Sequence, residues 1–282
     1  MDNATDSTLC LRIADRLKNV GGVIGVVLGG SRARGTATAD SDFDIGVYYA
    51  DENALDLPAL AETARVLDDE RREALIAPPG GWGRWVNGGG WLVVDGRRVD
   101  VILRDLGRVR RAVDDSLAGR VDAHYQTGHP HAFINVMYAG EVAMAKILAD
   151  GGGELGRLKA RTLPYPAELK KALISLFGFE AGFSAMLARN YADSDDSYYV
   201  AAHILRSLSC LNQVLFAVNG EYCLNEKKAV GMADGFALKP RDYARRVDSV
   251  VSLMGGKAGE ACRELDALIG DARLLLPAEA DS

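Results

Sequence analysis

The spacing of hydrophobic positions changes several times within the first eighty residues. Residues 9–20 carry apolar side chains at helical intervals with charged residues between them, which predicts an amphipathic helix. Residues 23–28 form a short apolar run rich in β-branched side chains, which predicts a buried strand. Residues 55–76 return to helical spacing before Pro78, and a proline cannot continue a helix. The chain therefore begins with alternating helices and strands.

A second strand is predicted over residues 42–49, where apolar and other residues alternate. Successive side chains of a strand point to opposite faces, so Asp42 and Asp44 leave the same face. The opposite face is apolar and consists of Phe43, Ile45, Val47 and Tyr49. This strand therefore carries one face for a core and one face with two carboxylates.

A β-hairpin is predicted by residues 91–94 and 97–103, which flank the dipeptide Asp95-Gly96. Asp-Gly between two strand-like runs is a strong signal for a two-residue turn. The turn length sets the register, so we expect Asp100 to lie opposite Trp91. A later strand thereby contributes a third carboxylate.

The pattern becomes helical after Arg104. It predicts helices only from Val109 onward, and the boundary between the two regions is expected near residues 104–108. The predicted helices cover residues 109–117, 133–148, 167–189, 198–218, 242–254 and 257–275. The predicted fold class is α+β, with an N-terminal domain of mixed structure followed by an all-helical C-terminal domain.

Composition places the chain among ordinary globular proteins. It has 282 residues, of which 48% are hydrophobic and 26% are charged, so it can bury one or two substantial cores. The net charge of -6 speaks weakly against a nucleic-acid partner, although a local basic pocket is compatible with it.

The four cysteines predict reduced thiols rather than a structural zinc site. They lie far apart in sequence, without a C-x-x-C pair or a histidine at metal-ligand spacing. The first eight residues are polar and acidic, unlike a signal peptide, and no apolar run approaches the roughly 20 residues that span a bilayer. We therefore expect a cytoplasmic protein without a membrane partner.

The carboxylates Asp42, Asp44 and Asp100 form a candidate metal site. Two carboxylates on one strand face raise each other's pKa unless cations neutralise them. Mg²⁺ is a hard cation that prefers oxygen ligands and nucleotide phosphates. Two such ions about 3.5–4 Å apart activate an attacking oxygen and stabilise a leaving pyrophosphate. The pattern therefore indicates metal-dependent chemistry on a nucleotide.

The segment between the first two strands supplies a candidate phosphate site. Gly29 and Gly30 allow backbone N–H groups to approach a phosphate closely, and Ser31 adds a hydroxyl donor. Arg32 and Arg34 are candidate sources of positive charge, although loop arginines are also commonly solvated. The segment matches neither the P-loop nor the Rossmann glycine pattern.

These motifs together resemble the DNA polymerase β-like nucleotidyltransferase superfamily. The resemblance covers residues 28–103: a strand ending in Gly-Ser, ten residues, an Asp-hydrophobic-Asp strand, and a later strand with one more aspartate. The helices that follow are similar to those of the small-molecule branch, the aminoglycoside and lincosamide nucleotidyltransferases. The resemblance makes Gly30 and Ser31 triphosphate contacts. It makes Asp42, Asp44 and Asp100 the metal-binding and catalytic carboxylates.

The resemblance also implies an architecture and a reaction. Residues 1–107 would form a catalytic domain with a mixed, twisted sheet flanked by helices, and residues 108–282 a helical domain that closes over the nucleotide and binds the acceptor. The implied reaction transfers AMP from Mg-ATP, or a nucleoside monophosphate from another triphosphate, to a hydroxyl of a small molecule. Pyrophosphate is released. Aminoglycoside- and lincosamide-type antibiotics are candidate acceptors, and the oligomeric state is left open.

The general base is left open by the sequence. Glu141 lies among apolar neighbours on a predicted helix, where it serves either as a base toward the acceptor hydroxyl or as a capping or salt-bridge residue. Asp100 is the alternative base, because the role requires only hydrogen-bond reach of the acceptor oxygen. Lys227 is either a triphosphate ligand at domain closure or part of a polar helix start.

Histidines and tryptophans give two further sets of candidates. Three histidines occur between residues 124 and 131, and we interpret them as loop or helix-entry residues rather than metal ligands. They are His124, His129 and His131. The tryptophans lie in or beside a glycine-rich segment, where they either flank a base or sugar or form a hairpin core. They are Trp82, Trp85 and Trp91.

Two other functions remain compatible with the sequence. The first keeps the fold but modifies a protein hydroxyl, as in AMPylating nucleotidyltransferases of toxin–antitoxin type, which are usually much shorter chains. The second is a non-catalytic nucleotide-binding module. The presence of all three carboxylates argues against that module, since binding alone needs fewer.

Overall fold

The computed structural model describes residues 3–51 and 53–276, and side chains from residue 6 onward. The chain forms two compact units. Unit 1 contains the residues up to Asp114 together with 124–128 and 138–164, and unit 2 contains 115–123, 129–137 and the residues from Tyr165. Both units draw on several stretches of the sequence.

Strands form a mixed sheet in unit 1. In chain order the strands are β1 (Val23–Leu28), β2 (Phe43–Tyr49), β3 (Ile76–Ala77), β4 (Gly88–Val94), β5 (Arg97–Asp105), β6 (Ala123–His124), β7 (Phe133–Ile134) and β8 (Lys146–Asp150). Six of them form one sheet in the order β3-β4-β5-β2-β1-β8, and β6 pairs with β7. In the larger sheet β2 and β5 are parallel and the other pairs are antiparallel. The predicted mixed sheet is confirmed.

Helices precede, interrupt and follow this sheet. They are α1 (Asn3–Leu17), α2 (Gly30–Arg34), α3 (Leu57–Leu67), α4 (Leu106–Leu117), α5 (Val136–Met144), α6 (Glu154–Arg161), α7 (Ala167–Asn190), α8 (Ser197–Val218), α9 (Ala229–Asp234), α10 (Tyr243–Leu253) and α11 (Ala258–Arg273). The α+β class, with a helical region after the sheet, is confirmed. The short helix α2 is a single turn and had no periodic signal in the sequence.

The apolar face of the sheet forms the core of unit 1 with α1 and α3. The alternation predicted for β2 is confirmed, since its four alternating apolar residues are at most 1% exposed. Ile13 and Leu17 of α1 are completely buried in the same cluster. Burying an Ile or Leu side chain stabilises a fold by roughly 1.5–3 kcal/mol. The opposite face of β2 is thereby left to Asp44 and its neighbours.

The hairpin of β4 and β5 has the predicted turn and register. Asp95 and Gly96 both have positive φ angles, of 51° and 69°, as the favoured two-residue turn requires. Trp91 pairs with Asp100 as expected. Asp69 accepts hydrogen bonds of 2.8 Å from both turn N–H groups. The turn is therefore bound to the segment that follows α3.

The expectation of helices only after Val109 is wrong for three strands. Residues 146–150 form β8, which pairs with β1, and the predicted helix over 133–148 contains β7, α5 and the first three residues of β8. In a short apolar run, the spacing of hydrophobic residues does not distinguish a strand from a turn of a buried helix. Residues 146–150 form a strand because they pair with β1. The predicted helix over 55–76 likewise ends at Leu67.

Helices α7 to α11 form the apolar core of unit 2. Six residues join α7 to α8, which pack along each other as a helical hairpin. By length and composition α7 and α8 are able to cross a membrane, but 67% of the apolar window of α8 is buried within the structure, as in a core helix. The cytoplasmic location stays a prediction.

Asp68 is a buried carboxylate that joins the end of α3 to β4. Its side chain is 0% exposed and accepts hydrogen bonds from Arg72 Nη2 at 2.6 Å, Arg72 Nε at 3.0 Å and Val93 N at 2.9 Å. The hydrogen bonds from Arg72 hold the pKa of Asp68 well below its usual range, although burial opposes this shift. The charged form is therefore stabilised by folding.

We predict that Asp68→Asn lowers the free energy of unfolding by about 1.5–3 kcal/mol at pH 7, because hydrogen bonds to a charged group are lost. The folded pKa is depressed, so the stabilisation is complete above the unfolded value of about 3.9 and is lost as the pH falls through the folded value. Urea unfolding at pH 7 and below pH 4 measures this. Glu62→Gln, at an exposed pair on α3, serves as the control and leaves stability unchanged. Equal stability of Asp68→Asn and the original protein at pH 7 would contradict the assignment.

Candidate active site

Strands β2 and β5 bring the three predicted carboxylates to one face of the sheet. The parallel register pairs Asp44 with Asp100. Asp42 immediately precedes β2, and by alternation its side chain leaves the same face as Asp44. Asp42 Oδ1 lies 2.7 Å from Arg98 Nε. Two cross-strand pairs, Asp42–Arg98 and Asp44–Asp100, therefore stand next to each other.

The glycine turn after β1 lies directly against Asp44. Gly29 N donates a hydrogen bond of 2.7 Å to Asp44 O, and Gly30 has a φ of +58°. A Cβ atom on Gly30 would lie 1.8 Å from Asp44 Oδ2, far inside van der Waals contact. Only glycine allows the backbone and the carboxylate to approach this closely. The structure thus brings Gly30, and Ser31 beside it, to the aspartates.

Arg32 anchors the segment that leads into Asp42. Its guanidinium donates to Ser41 O at 2.7 Å and to Asp42 O at 3.2 Å, and pairs with Asp6 at 2.5 Å. It also stacks 3.7 Å above the Phe43 ring, and only 8% of the side chain is exposed. These contacts assign Arg32 a positioning role toward Asp42, and its contact with phosphate stays a prediction.

The donor set fits a hard divalent cation. Asp42, Asp44 and Asp100 supply carboxylate oxygens from adjacent strand positions, and such oxygens are the ligands of Mg²⁺. Because Gly30 has no side chain, the Asp44 carboxylate lies directly against the turn, whose backbone N–H groups are potential phosphate donors. The residues therefore agree with a site for a metal ion and a phosphate.

Two cations were not among the sequence candidates, one beside the aspartates and one at the glycine turn on the opposite face of the sheet. Arg98 lies two residues before Asp100, so strand alternation already placed both side chains on one face, and this signal was sufficient to find it. Lys146 Nζ donates to Arg32 O at 3.3 Å, and Lys146 pairs with Leu28 at the end of β1. Lys146 could not be found from sequence because strand β8 was missed.

An aromatic pair borders the carboxylates on the third strand. Trp91 pairs with Asp100, which in turn pairs with Asp44, and cross-strand partners point to the same face of a sheet. The Trp91 side chain is 63% exposed and stacks on Trp82 with ring centroids 4.7 Å apart. Trp85 instead stacks on His124 at 3.8 Å. The exposure of Trp91 favours the interpretation of a flanking surface over a hairpin core for this residue.

On the same sheet face, further along β5, the buried Arg104 forms an ion pair with the half-buried Glu141 of α5. Arg104 donates to both carboxylate oxygens of Glu141 at 2.7 Å. Burial lowers the pKa of Arg104, but the charge of Glu141 and its hydrogen bonds more than offset this and keep the guanidinium charged. Burial and the nearby Glu141 raise the pKa of Tyr48, which pairs with Arg104. This geometry favours the salt-bridge alternative for Glu141, and its role as a base stays a prediction.

Two predicted phosphate ligands have less defined surroundings. Arg34 is the last residue of α2 and is half-buried. Lys227 belongs to unit 2, where its side chain is exposed and its backbone N–H donates to Asn225 Oδ1 at 2.9 Å. This turn agrees with the alternative of a polar helix start before α9. Phosphate binding by either residue stays a prediction.

A cavity of about 670 Å³ lies on the other side of the glycine turn. Its cationic residues are Arg32, Arg97 and Lys146, and its apolar residues include Leu28 and Phe43. None of the three carboxylates lines this cavity. The acidic residue in its lining is Asp6, which is paired with Arg32.

Comparisons with known proteins bear on the class of reaction. Residues 10–117 match the family model described as a nucleotidyltransferase domain, which is less than half of the chain. No curated protein matches the sequence. A solved structure, a nucleotidyltransferase-like protein from Exiguobacterium sibiricum 255-15, is similar over 96% of this chain and 76% of that chain, with 12% identity and a TM-score of 0.45. A likeness at that level is too low to carry an inference. The family match supports nucleotidyl transfer in general.

The contact between Gly30 and Asp44 generates a prediction with a matched control. We expect Gly30→Ala to weaken the binding of Mn²⁺ or Mg²⁺ by about 10-fold or more, because the new methyl group displaces Asp44. Gly35→Ala carries the same backbone penalty, since Gly35 has a φ of +77°, but its Cβ would meet no atom within 4 Å. Calorimetric titration of the metal into both variants makes the comparison. Equal metal affinities in the two variants would show that Asp44 is not a metal ligand.

Proposed function

We propose that this protein transfers a nucleoside monophosphate, AMP from Mg-ATP, to a hydroxyl group of a small molecule and releases pyrophosphate. The observation that carries the proposal is the pairing of Asp44 with Asp100 on adjacent strands, with Gly30 against the Asp44 carboxylate. The nucleotidyltransferase match over residues 10–117 supports the reaction class.

Asp42, Asp44 and Asp100 would hold Mg²⁺, with two ions in the complete site. When bound, these ions supply positive charge at the reacting phosphate and the leaving pyrophosphate. The charge of Asp42 is balanced by Arg98 in the structure, at 2.7 Å. The Arg98 side chain is 67% exposed, so it has room to turn from Asp42 toward the phosphates of a nucleotide.

The chain positions the nucleotide through the turn after β1. The Gly30–Arg34 segment offers backbone N–H groups and the Ser31 hydroxyl as donors to phosphate oxygens. Lys146 adds a positive charge beside this turn. Arg32 holds the backbone of Asp42 in place, and such positioning is a main source of catalysis in phosphoryl transfer.

We assign the general base to Asp100 rather than Glu141. Both oxygens of Glu141 bind Arg104, so accepting a proton would break a buried, charge-assisted pair. Asp100 lies on the face where Trp91 is exposed, and an acceptor that rests against Trp91 has its hydroxyl near this carboxylate. The acidic net charge of -6 is compatible with polycationic acceptors such as aminoglycosides.

The proposal is tested by incubation of the protein with radiolabelled ATP, GTP, CTP or UTP, Mg²⁺ and a panel of aminoglycosides and lincosamides. Label on a small molecule together with pyrophosphate release is the expected result. Label on a protein instead would favour the AMPylating alternative. Binding of nucleotide without any transfer, across all nucleotides and acceptors, would favour the non-catalytic module.

We predict that Asp44→Asn and Asp100→Asn each lower kcat by more than about 100-fold, since each removes a carboxylate at the reacting phosphate. Asp40→Asn is the control, because Asp40 is exposed and contributes a backbone oxygen to Arg98 rather than its carboxylate. Steady-state assays of pyrophosphate release, with circular dichroism to check folding, measure the effect. Activity of a folded Asp44→Asn protein within a few-fold of the original would overturn the assignment.

A further inference from the structure

Three ligand-type side chains from distant parts of the sequence meet in unit 2. His131 precedes β7, Glu180 lies on α7 and Cys210 lies on α8. One ligand atom from each residue lies within 4.8 Å of the other two, and Cys210 Sγ is 3.9 Å from His131 Nε2. The cluster belongs wholly to unit 2, whereas the three aspartates belong to unit 1.

The two helices are fixed to each other at this cluster. Ser207 Oγ donates a hydrogen bond of 2.7 Å to Ala181 O, one residue from Glu180 and three residues from Cys210. Ser207 and Cys210 are completely buried. The separation of the α7 and α8 backbones is therefore set by packing, which gives the carboxylate and the thiol a defined spacing.

The loop that carries His131 is held by a second carboxylate. Glu226 Oε1 accepts hydrogen bonds from His131 N at 3.0 Å and from Ala132 N at 3.3 Å. Glu226 Oε2 lies 3.3 Å from His129 Nδ1. The His131 ring meets Phe177 edge-on, with centroids 6.2 Å apart. These contacts hold the backbone of the loop that carries His131 and place its ring against α7.

The cluster has a cationic neighbour on α8, Arg206. Burial and the adjacent Glu180 raise the pKa of the Cys210 thiol, so the metal–sulfur bond has to offset the cost of removing this proton. Arg206 contacts Oε1 of Glu180 with both Nε and Nη2, and Glu180 also forms a hydrogen bond with the Cys210 thiol, which a bound metal ion would replace.

We propose that His131, Glu180 and Cys210 bind one divalent transition-metal ion of the zinc type. Nitrogen, oxygen and sulfur donors form a set that Zn²⁺ accepts, and three protein ligands leave a fourth position for water. Tetrahedral Zn–S and Zn–N bonds place the two donors roughly 3.5 Å apart, so the observed pair needs to close by only a few tenths of an ångström. A thiolate ligand selects against Mg²⁺, which separates this site chemically from the aspartates.

When the metal ion binds, Cys210 loses its thiol proton and forms a sulfur–metal bond. The Cys210 S–H bond breaks, its proton leaves to solvent, and the sulfur electron pair forms the bond to the metal. The thiolate and the Glu180 carboxylate each contribute one negative charge, and Arg206 beside Glu180 contributes one positive charge, so the occupied cluster carries one net positive charge. Since His131 lies in a loop and the other two ligands lie on helices, the ion ties this loop to the α7–α8 hairpin.

The test is a metal titration of the full chain. Chelator-treated, reduced protein receives Co²⁺ in the presence of excess Mg²⁺, which occupies the aspartates. We expect one equivalent of Co²⁺ to give a thiolate-to-metal charge-transfer band with tetrahedral d–d absorption, and Zn²⁺ to displace it. Cys210→Ser should abolish the band and weaken Zn²⁺ binding roughly 100-fold or more. Cys262→Ser, at another buried cysteine of unit 2, should retain both.

A second variant keeps the test decisive. His131→Asn changes a loop residue rather than a helix core, and we expect it to lower Zn²⁺ affinity by a similar factor and to remove the Zn²⁺-dependent rise in thermal midpoint. Absence of a charge-transfer band at one equivalent, or a band that persists in Cys210→Ser and His131→Asn, would overturn the proposal. The measurement uses metal alone, so its outcome is independent of nucleotidyl transfer.

Discussion

Repulsion between neighbouring carboxylates is the constraint on which unit 1 depends. The parallel register of β2 and β5 sets Asp44 beside Asp100. Asp42 lies two residues before Asp44, so its side chain leaves the same face of the sheet. Negative charges on adjacent strand positions repel each other unless cations balance them. Arg98 balances Asp42 directly, while Arg32 fixes the backbone before β2. The apolar core beneath the sheet holds this arrangement in place, because β2 cannot shift by one residue without burying its aspartates.

Local rules of sequence were sufficient for part of this site. The position of Asp100 beside Asp44 depends on the parallel register of β2 and β5, which joins distant residues. Strand alternation, by contrast, predicted the shared face of Asp42 and Asp44, and the Asp95-Gly96 turn predicted the pairing of Asp100 with Trp91. Both features depend only on residues close in sequence. The close approach of Gly30 to Asp44 could not be predicted, because it depends on where two strand ends meet in space.

Contacts between distant residues account for what the sequence did not reveal. Strand β8 has no periodic pattern of its own and is a strand because β1 offers it a partner, so Lys146 was missed with it. His131 and Cys210 are 79 residues apart, and no ligand spacing connects them. The bidentate contact of Arg104 with Glu141 likewise joins residues 37 positions apart, which left the role of Glu141 open in the sequence.

The position of β8 in the chain has a consequence for how the sheet is completed. Strand β1 has β2 on one side, and its other edge stays open until residues 146–150 have been synthesised. An open strand edge is a template for pairing with other chains. The nascent protein therefore exposes an unpaired, aggregation-prone edge of β1 until the segment between β5 and β8 has been synthesised. A fragment cut at residue 117, where the family match ends, would keep this edge permanently.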